Sequence, residues 1–412
     1  MTIRWISAGL LALSCLALAC TRPAPAPASA QEKRWLGYFP ASYEESRARF
    51  RENCGHHVVS PDDFCRSFPV SSPTDPDLTI DYGFFSRGGD RLIVIQSGIH
   101  GSEAAPGAAV QEFVLNEYLS RLLDRHIDVF FIHALNPYGF KYIRRTDEFN
   151  VNLNRNFAVR EQDYKKQNPD YERLRSLFEP AGPVRNVWLS AMGNHARFIG
   201  NVIADGFDAT PVTIGLDSGQ YQHPQGMNYG GQGPVQQVSF LKDTLGPIMA
   251  RPYRKILFLD FHTGLGKDGE LAVIEGIQPP RGLMGELAQL LGRHEQDGIV
   301  IHSGNDAGFF PTSGDVIDFV PNMVHASDPR VLAVTMEYGT VGNDTISQLR
   351  SASRMILENQ AHFYPCAKND NAPCTEIRED FRALFSPSDQ AWRLKVMREA
   401  NLTFSRLLEW EH

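Results

Sequence analysis

Apolar residues along this chain fall into two periods. Short continuous runs, in "LTIDYGFF", "RLIVIQSG", "IDVFFIHALNP", "KILFLDFHTG", "ELAVIEGI", "GIVIHSG" and "VLAVTMEYGT", are bounded by turn residues and rich in β-branched and aromatic side chains. They predict strands, most of them buried on both faces. The first two flank a Gly-Gly-Asp turn. Other segments carry apolar residues at helical spacing: "ASYEESRARFREN", "EAAPGAAVQEFVLNEYLSRLLDR", "MGELAQLLGRHEQ" and "TISQLRSASRMILENQAHF". Strand, helix, strand within about fifty residues opens a parallel α/β arrangement. Residues 60–77 read as a Ser/Pro/Asp-rich connector, and 160–250 as a polar, mostly helical insertion with a Gly-rich loop, "GQYQHPQGMNYGGQGP". The expected fold is therefore α/β, with a mixed, mostly parallel central sheet flanked by helices. One domain spans 32–364, and a C-terminal helical tail, 365–412, packs on it.

The first residues depart from this pattern. Arg4 precedes the fifteen-residue apolar stretch "WISAGLLALSCLALA", too short for a comfortable span and followed by a polar Pro/Ala tract. Residues 1–19 read as a signal peptide and 20–31 as an extended spacer. Ala17 and Ala19 before Cys20 resemble a bacterial lipoprotein processing site, with Cys20 as the lipidated residue; cleavage after "ASA" near Ala30 is the alternative. The expected location is outside the cytoplasm, in the periplasm or attached to the outer membrane, with the lipid as the sole membrane contact.

Export changes the reading of the cysteines. Of six, Cys15 leaves with the signal and Cys20 takes the lipid. In an oxidising compartment the remaining four are simplest paired locally, Cys54 with Cys65 and Cys366 with Cys374. No C-x-x-C spacing suggests a cysteine zinc site. Composition is globular, 42% hydrophobic and 21% charged, with net charge −8 and scattered Lys and Arg. That excludes the basic stripe of a nucleic-acid binder.

Four apolar runs end in chemically capable residues: His100 and Glu103, Asp260 and His262, His302, and Glu337. In open α/β sheets functional groups gather where strands end. His100, Glu103 and His262 supply the three nitrogen and carboxylate ligands of a catalytic zinc with a fourth position open. Glu337, leaving a hydrophobic strand, is the candidate base. "RRTDEFNVNLNRNF" adds Arg144, Arg145, Asn154 and Arg155, suited to polarising a carbonyl and clamping a carboxylate. His133 and His302 read as core or rim histidines, and the "YGGQGP" loop as a rim loop rather than a phosphate cradle.

The ordered segments "SG-x-HG-x-E", "NPxGF", "RR…NLNRNF", "GQY…YGG", "DFHTGLG" and "EYGT", across 93–340, resemble the zinc carboxypeptidase (funnelin) superfamily. Within it the chain is most similar to a bacterial branch related to the carboxypeptidases and to aspartoacylase and succinylglutamate desuccinylase. The resemblance implies one Zn2+ per chain on His100, Glu103 and His262, with Glu337 as general base. It also implies Asn154 and Arg155 as the carboxylate-binding pair, and Arg145, or Arg144, as the arginine that polarises the carbonyl. Two positions depart from the pattern. Asn152 stands where relatives carry an Asp that orients a zinc-binding His, a role open to Asp260 as well. Residues 263–336 contain no Tyr, so Tyr221 or Tyr229 of the Gly-rich loop would have to substitute for the tyrosine of peptide-cleaving members. The implied activity is hydrolysis of an amide bond beside a free carboxylate by metal-activated water, on peptides or peptidoglycan stems. The alternatives are an N-acyl amino acid deacylase of aspartoacylase type and a noncatalytic metal-binding surface lipoprotein.

Overall fold

The structure is a computed structural model that describes residues 29–206, 208–292, 299–302, 312–342, 344–366 and 371–410. The expected signal peptide, Cys20 and nearly all of the spacer lie outside the described residues.

Among the described residues eight strands form one sheet: β1 (Phe64–Pro69), β2 (Thr79–Phe85), β3 (Arg91–Ser97), β4 (Ile127–His133), β5 (Lys255–Gly264), β6 (Leu271–Glu275), β7 (Ile299–His302) and β8 (Val331–Gly339), in the order β1-β2-β4-β3-β5-β8-β6-β7. The central β4, β3, β5 and β8 are parallel neighbours, and β1, β2 and β6 enter antiparallel. The sheet is mixed and mostly parallel in the centre, as the apolar runs imply.

β2 and β3 flank the Gly-Gly-Asp turn without pairing, because β4 inserts between them. One local expectation differs from what is observed. The connector 60–77 contains β1, an edge strand exposed along much of its length. Phe64 and Phe68 are the core-facing residues of one side, too few to stand out from the Ser/Pro/Asp-rich surroundings. Cys54 is bonded to Cys65 of β1, and Cys366 to Cys374.

Because side chains alternate across a strand, each central strand feeds two cores. Ile93, Ile95, Leu257, Leu259, Leu332 and Val334 face one. Helices Ala104–Glu117, Arg281–Leu291 and Gln390–Leu407 cover that face. Leu92, Val94, Ile256, Phe258, Val331 and Ala333 face the other, under the 236–249 helices and the loops. Helices Pro169–Phe178, Val187–Ala204 and Thr210–Asp217 belong to the insertion and share a small core with Met227 and with Ala352 and Ile356 of helix Thr345–Phe363. The last helix brings Trp392, Val396, Met397 and Phe404 into the main core, and Trp392 Nε1 donates to the Gly339 carbonyl at the end of β8 (2.8 Å). His133 is a core histidine, stacked on Phe50 and hydrogen-bonded to Gln111. The side chain of His302 is outside the described residues.

Candidate active site

The second core face changes character toward the carboxyl ends of the strands. The positions continuing Leu92/Val94, Ile256/Phe258 and Val331/Ala333 are Gln96, Asp260 with His262, and Thr335 with Glu337, all buried. Burying such groups is tolerable only when they are paired or hold a ligand. Gln96 Nε2 donates to Asp260 Oδ1 (2.9 Å), and Asp260 Oδ2 accepts from His262 Nε2 (2.7 Å). His262 and Glu337 are register partners across the β5–β8 pair.

His100 and Glu103 arrive from the end of β3. Gly98 takes a left-handed turn (φ 69°), and a 3-10 turn over Gly101–Glu103 leads into helix Ala104–Glu117. A Cβ on Gly101 would lie 1.9 Å from the Gly139 carbonyl carbon, so the "HG" and "NPYGF" segments meet backbone to backbone. The Ser102 amide donates to the Arg144 carbonyl (2.9 Å), tying the same turn to the arginine pair.

These elements bring His100, Glu103 and His262 together, with one ligand atom from each lying within 4.8 Å of the others. His100 Nδ1 and His262 Nδ1 each approach a different oxygen of Glu103 at 3.0 Å. His100 Nδ1 is buried and has no hydrogen-bond partner despite that approach. The far nitrogens are held by oxygens: His100 Nε2 by Asn152 Oδ1 (3.1 Å) and His262 Nε2 by Asp260. An imidazole whose outer N–H is fixed by an acceptor presents its other nitrogen as a lone pair, as a metal-binding histidine does. The orphaned Nδ1 and the N, N, carboxylate donor set therefore fit a zinc ion. Asn152 serves His100 and Asp260 serves His262. Asn152 keeps its orientation through its own amide, which donates to Asn228 Oδ1 (2.7 Å).

The electrostatics follow from burial and charge. Burial holds the His100 pKa down to about 3, with Arg145 adding to the effect. Burial pushes Glu103 up, but His100 and Arg145 outweigh it and hold the carboxylate well below its usual range. Burial lowers His262, and Asp260 and Glu103 override that to raise it. Glu337 is pushed up to about 7, first by burial and then by the Glu103 charge, although Oε1 accepts the Leu265 amide (2.9 Å).

The tandem arginines separate. Arg145 Nη1 donates to Glu103 Oε1 (2.6 Å), and its side chain lines the cluster's cavity of about 150 Å³. Arg144 turns away to Glu358 (2.8 Å), Asn150 and Asn359. Arg155 is buried at the cavity wall. Nε and Nη2 donate to the Asp217 carbonyl and Nη1 to the Asn154 carbonyl, and among the described residues no carboxylate pairs with it. Both ends of the Asn154 amide are occupied, by Asp315 (3.1 Å) and the Val316 amide (3.0 Å). Tyr221 directs its hydroxyl to the Arg155 and Ser313 carbonyls, and Tyr229 packs in the second core. Neither lines the cavity. Asp315 and Asp318 do; sequence reading missed them because only the tertiary fold carries helix Val316–Phe319 to the site.

The arrangement defines an α/β protein with a buried His–Glu–His cluster and a second carboxylate at the carboxyl ends of its central strands. The chain belongs to the family described as "Protein of unknown function (DUF2817)", which matches residues 39–399. No curated protein matches it. Among solved structures it is similar to carboxypeptidase A from Helicoverpa armigera, at 15% identity over 86% of this chain and 80% of that one, TM-score 0.43. Bovine thrombin-activatable fibrinolysis inhibitor, in complex with tick carboxypeptidase inhibitor, shares 12% identity over 84% of this chain and 99% of that one, TM-score 0.44. A succinylglutamate desuccinylase from Silicibacter sp. TM1040 shares 14% over 74% and 69%, TM-score 0.36.

Proposed function

We propose that the chain is a zinc-dependent hydrolase that cleaves an amide bond beside a free carboxylate, and that it works outside the cytoplasm. The observation that carries the reading is the convergence of His100, Glu103 and His262 on one point, with Glu337 beside His262 across adjoining strands. A zinc ion bound there supplies Lewis-acid polarisation and a more acidic water. Glu337, whose pKa is raised to about 7, takes the proton from the attacking water and returns it to the leaving amine. Arg145 at the cavity wall stabilises the negative charge developing on the carbonyl oxygen. Arg155 is a buried cation hydrogen-bonded to carbonyls only, with N–H groups left over for a substrate carboxylate.

Peptides, including peptidoglycan stems, fit this chemistry in an exported protein. Two disulfides support an oxidising compartment, and among the described residues no helix is long and apolar enough to cross a membrane. A lipid on Cys20 is the proposed anchor. One observation favours the N-acyl amino acid deacylase as a second reading: the Tyr221 hydroxyl, the proposed stand-in for the tyrosine of peptide-cleaving relatives, is engaged by backbone carbonyls.

The test is elemental analysis of the purified chain and of His262→Ala, followed by hydrolysis assays on C-terminally free peptides, their amides and N-acyl amino acids. Expected are one zinc per chain, lost in the variant, and turnover of free-acid substrates only. Stoichiometric zinc in the variant, or no turnover by the zinc-loaded chain, overturns the reading; the relative rates on peptides and acyl amino acids choose between the two chemistries.

A further inference from the structure

A second cavity, of about 630 Å³, opens on the far side of the tandem arginines. Helix Pro137–Tyr142, helix Thr345–Phe363, the Cys366–Cys374 bridge and helix Ala372–Phe385 enclose it. Its charge is the reverse of the chain's net −8. Lys141, Arg144, Arg378 and Arg382 line it and, among the described residues, Glu358 is the one carboxylate there.

Lys141 is neutralised by Asp75 (2.6 Å) and Arg144 partly by Glu358 (2.8 Å). Arg378 and Arg382 have no ion pair among the described residues. They stand four apart on one exposed helix face, where like charges repel and a bound anion relieves the repulsion. Arg144 is only 3% exposed, and its buried Nη1 has no hydrogen-bond partner among the described residues. A buried guanidinium nitrogen left bare is costly unless a ligand completes it. A neighbouring cavity of about 330 Å³ shares Lys141, Ile143 and Arg382 with it and adds Arg393. There Ser102 Oγ is also buried and unpartnered.

We propose that the larger cavity binds a small ligand carrying two or more oxyanion groups, phosphate or carboxylate. Arg378 and Arg382 hold it at the rim, over Arg144 at the floor. Guanidinium groups suit this task because their planar donors match either oxyanion. Tyr138 and Tyr142, with ring centroids 4.6 Å apart, border the same cavity and favour a ligand with a flat face.

The probe is benzene-1,3,5-tricarboxylate, whose splayed carboxylates are poor metal chelators, titrated calorimetrically into the zinc-loaded full chain at low ionic strength. Inorganic phosphate and a bisphosphate in parallel titrations tell which oxyanion the cavity prefers. Saturable binding is expected, weakened at least tenfold in Arg378→Ala/Arg382→Ala, whose exposed positions leave the fold intact by circular dichroism. Arg378→Lys/Arg382→Lys should recover part of the affinity. No saturable binding by any probe overturns the proposal, and so does equal binding by wild type and the alanine double variant, since the anion then sits at the zinc-side cavity.

Discussion

His262 and Glu337 sit directly opposite one another on the parallel strands β5 and β8, so one imidazole and one carboxylate share a face of the sheet. The pairing places a group whose pKa is raised to about 7 beside a proposed zinc ligand. Glu337→Gln should keep fold and zinc while turnover falls by about 10²–10⁴-fold, the usual contribution of a general base. The sign with pH is fixed by the role: activity rises as Glu337 loses its proton. A bound cation favours the carboxylate form, so the acidic limb of kcat/KM should lie below pH 7 in the zinc-loaded chain and vanish in the variant. Near wild-type turnover in Glu337→Gln assigns the base elsewhere.

Asn152 offers a second handle. Asn152→Asp gives His100 a charged acceptor, which should tighten zinc by about tenfold, within the range seen for outer-shell partners. The same change removes the amide that donates to Asn228 Oδ1. Leaving that buried acceptor unsatisfied should cost about 1–3 kcal/mol. Competition with a chromogenic chelator reads the first effect, and denaturant unfolding of the metal-free chain the second.

Arg155→Lys tests carboxylate recognition. A Lys cannot reproduce two parallel bonds, so KM for free-acid substrates should rise about ten- to hundredfold, as expected for loss of one charge-assisted hydrogen bond. Amidated analogues, already poor, should change little. Equal penalties on acid and amide point to recognition elsewhere.

Asp147 gives a pH prediction remote from turnover. Its carboxyl is buried and its pKa pushed up to about 7, despite accepting the Val151 and Phe149 amides. A folded pKa above the unfolded one means the native state binds the proton more tightly. This group's contribution to stability is therefore greatest below the ordinary carboxylate pKa of 3.8 and declines as pH rises toward 7. Asp147→Asn keeps an oxygen for both amides and removes the buried charge. It should melt higher than wild type at pH 8 and show little difference at pH 4. Parallel melting curves that keep the same gap at both pH values would falsify this account.

The central strands were legible because burial on both faces demands unbroken apolar runs, and His262 and Glu337 because each ends such a run. The distinct fates of Arg144 and Arg145 were not. Neighbours in an irregular segment point apart, and sequence spacing does not say which one meets Glu103. The capture of the Tyr221 hydroxyl by the Arg155 carbonyl was equally hidden, since a loop-to-loop backbone contact leaves no trace in residue type. β1 escaped for a related reason: only Phe64 and Phe68 of one face reach the core, too brief a stripe to stand out in a Ser/Pro/Asp-rich segment.

The strand order also sets the timetable of synthesis. β3 is flanked by β4 and β5, but Glu103 and His262 are separated by 159 residues. In a chain that emerges N-terminus first, whether from the ribosome or across a membrane, the β3 edge waits for its partner until those 159 residues have followed. During that interval a strand destined for the centre of the sheet exposes unpaired amides and apolar faces, the conditions for pairing with another nascent chain. A fragment ending before β5 should accordingly collect in inclusion bodies.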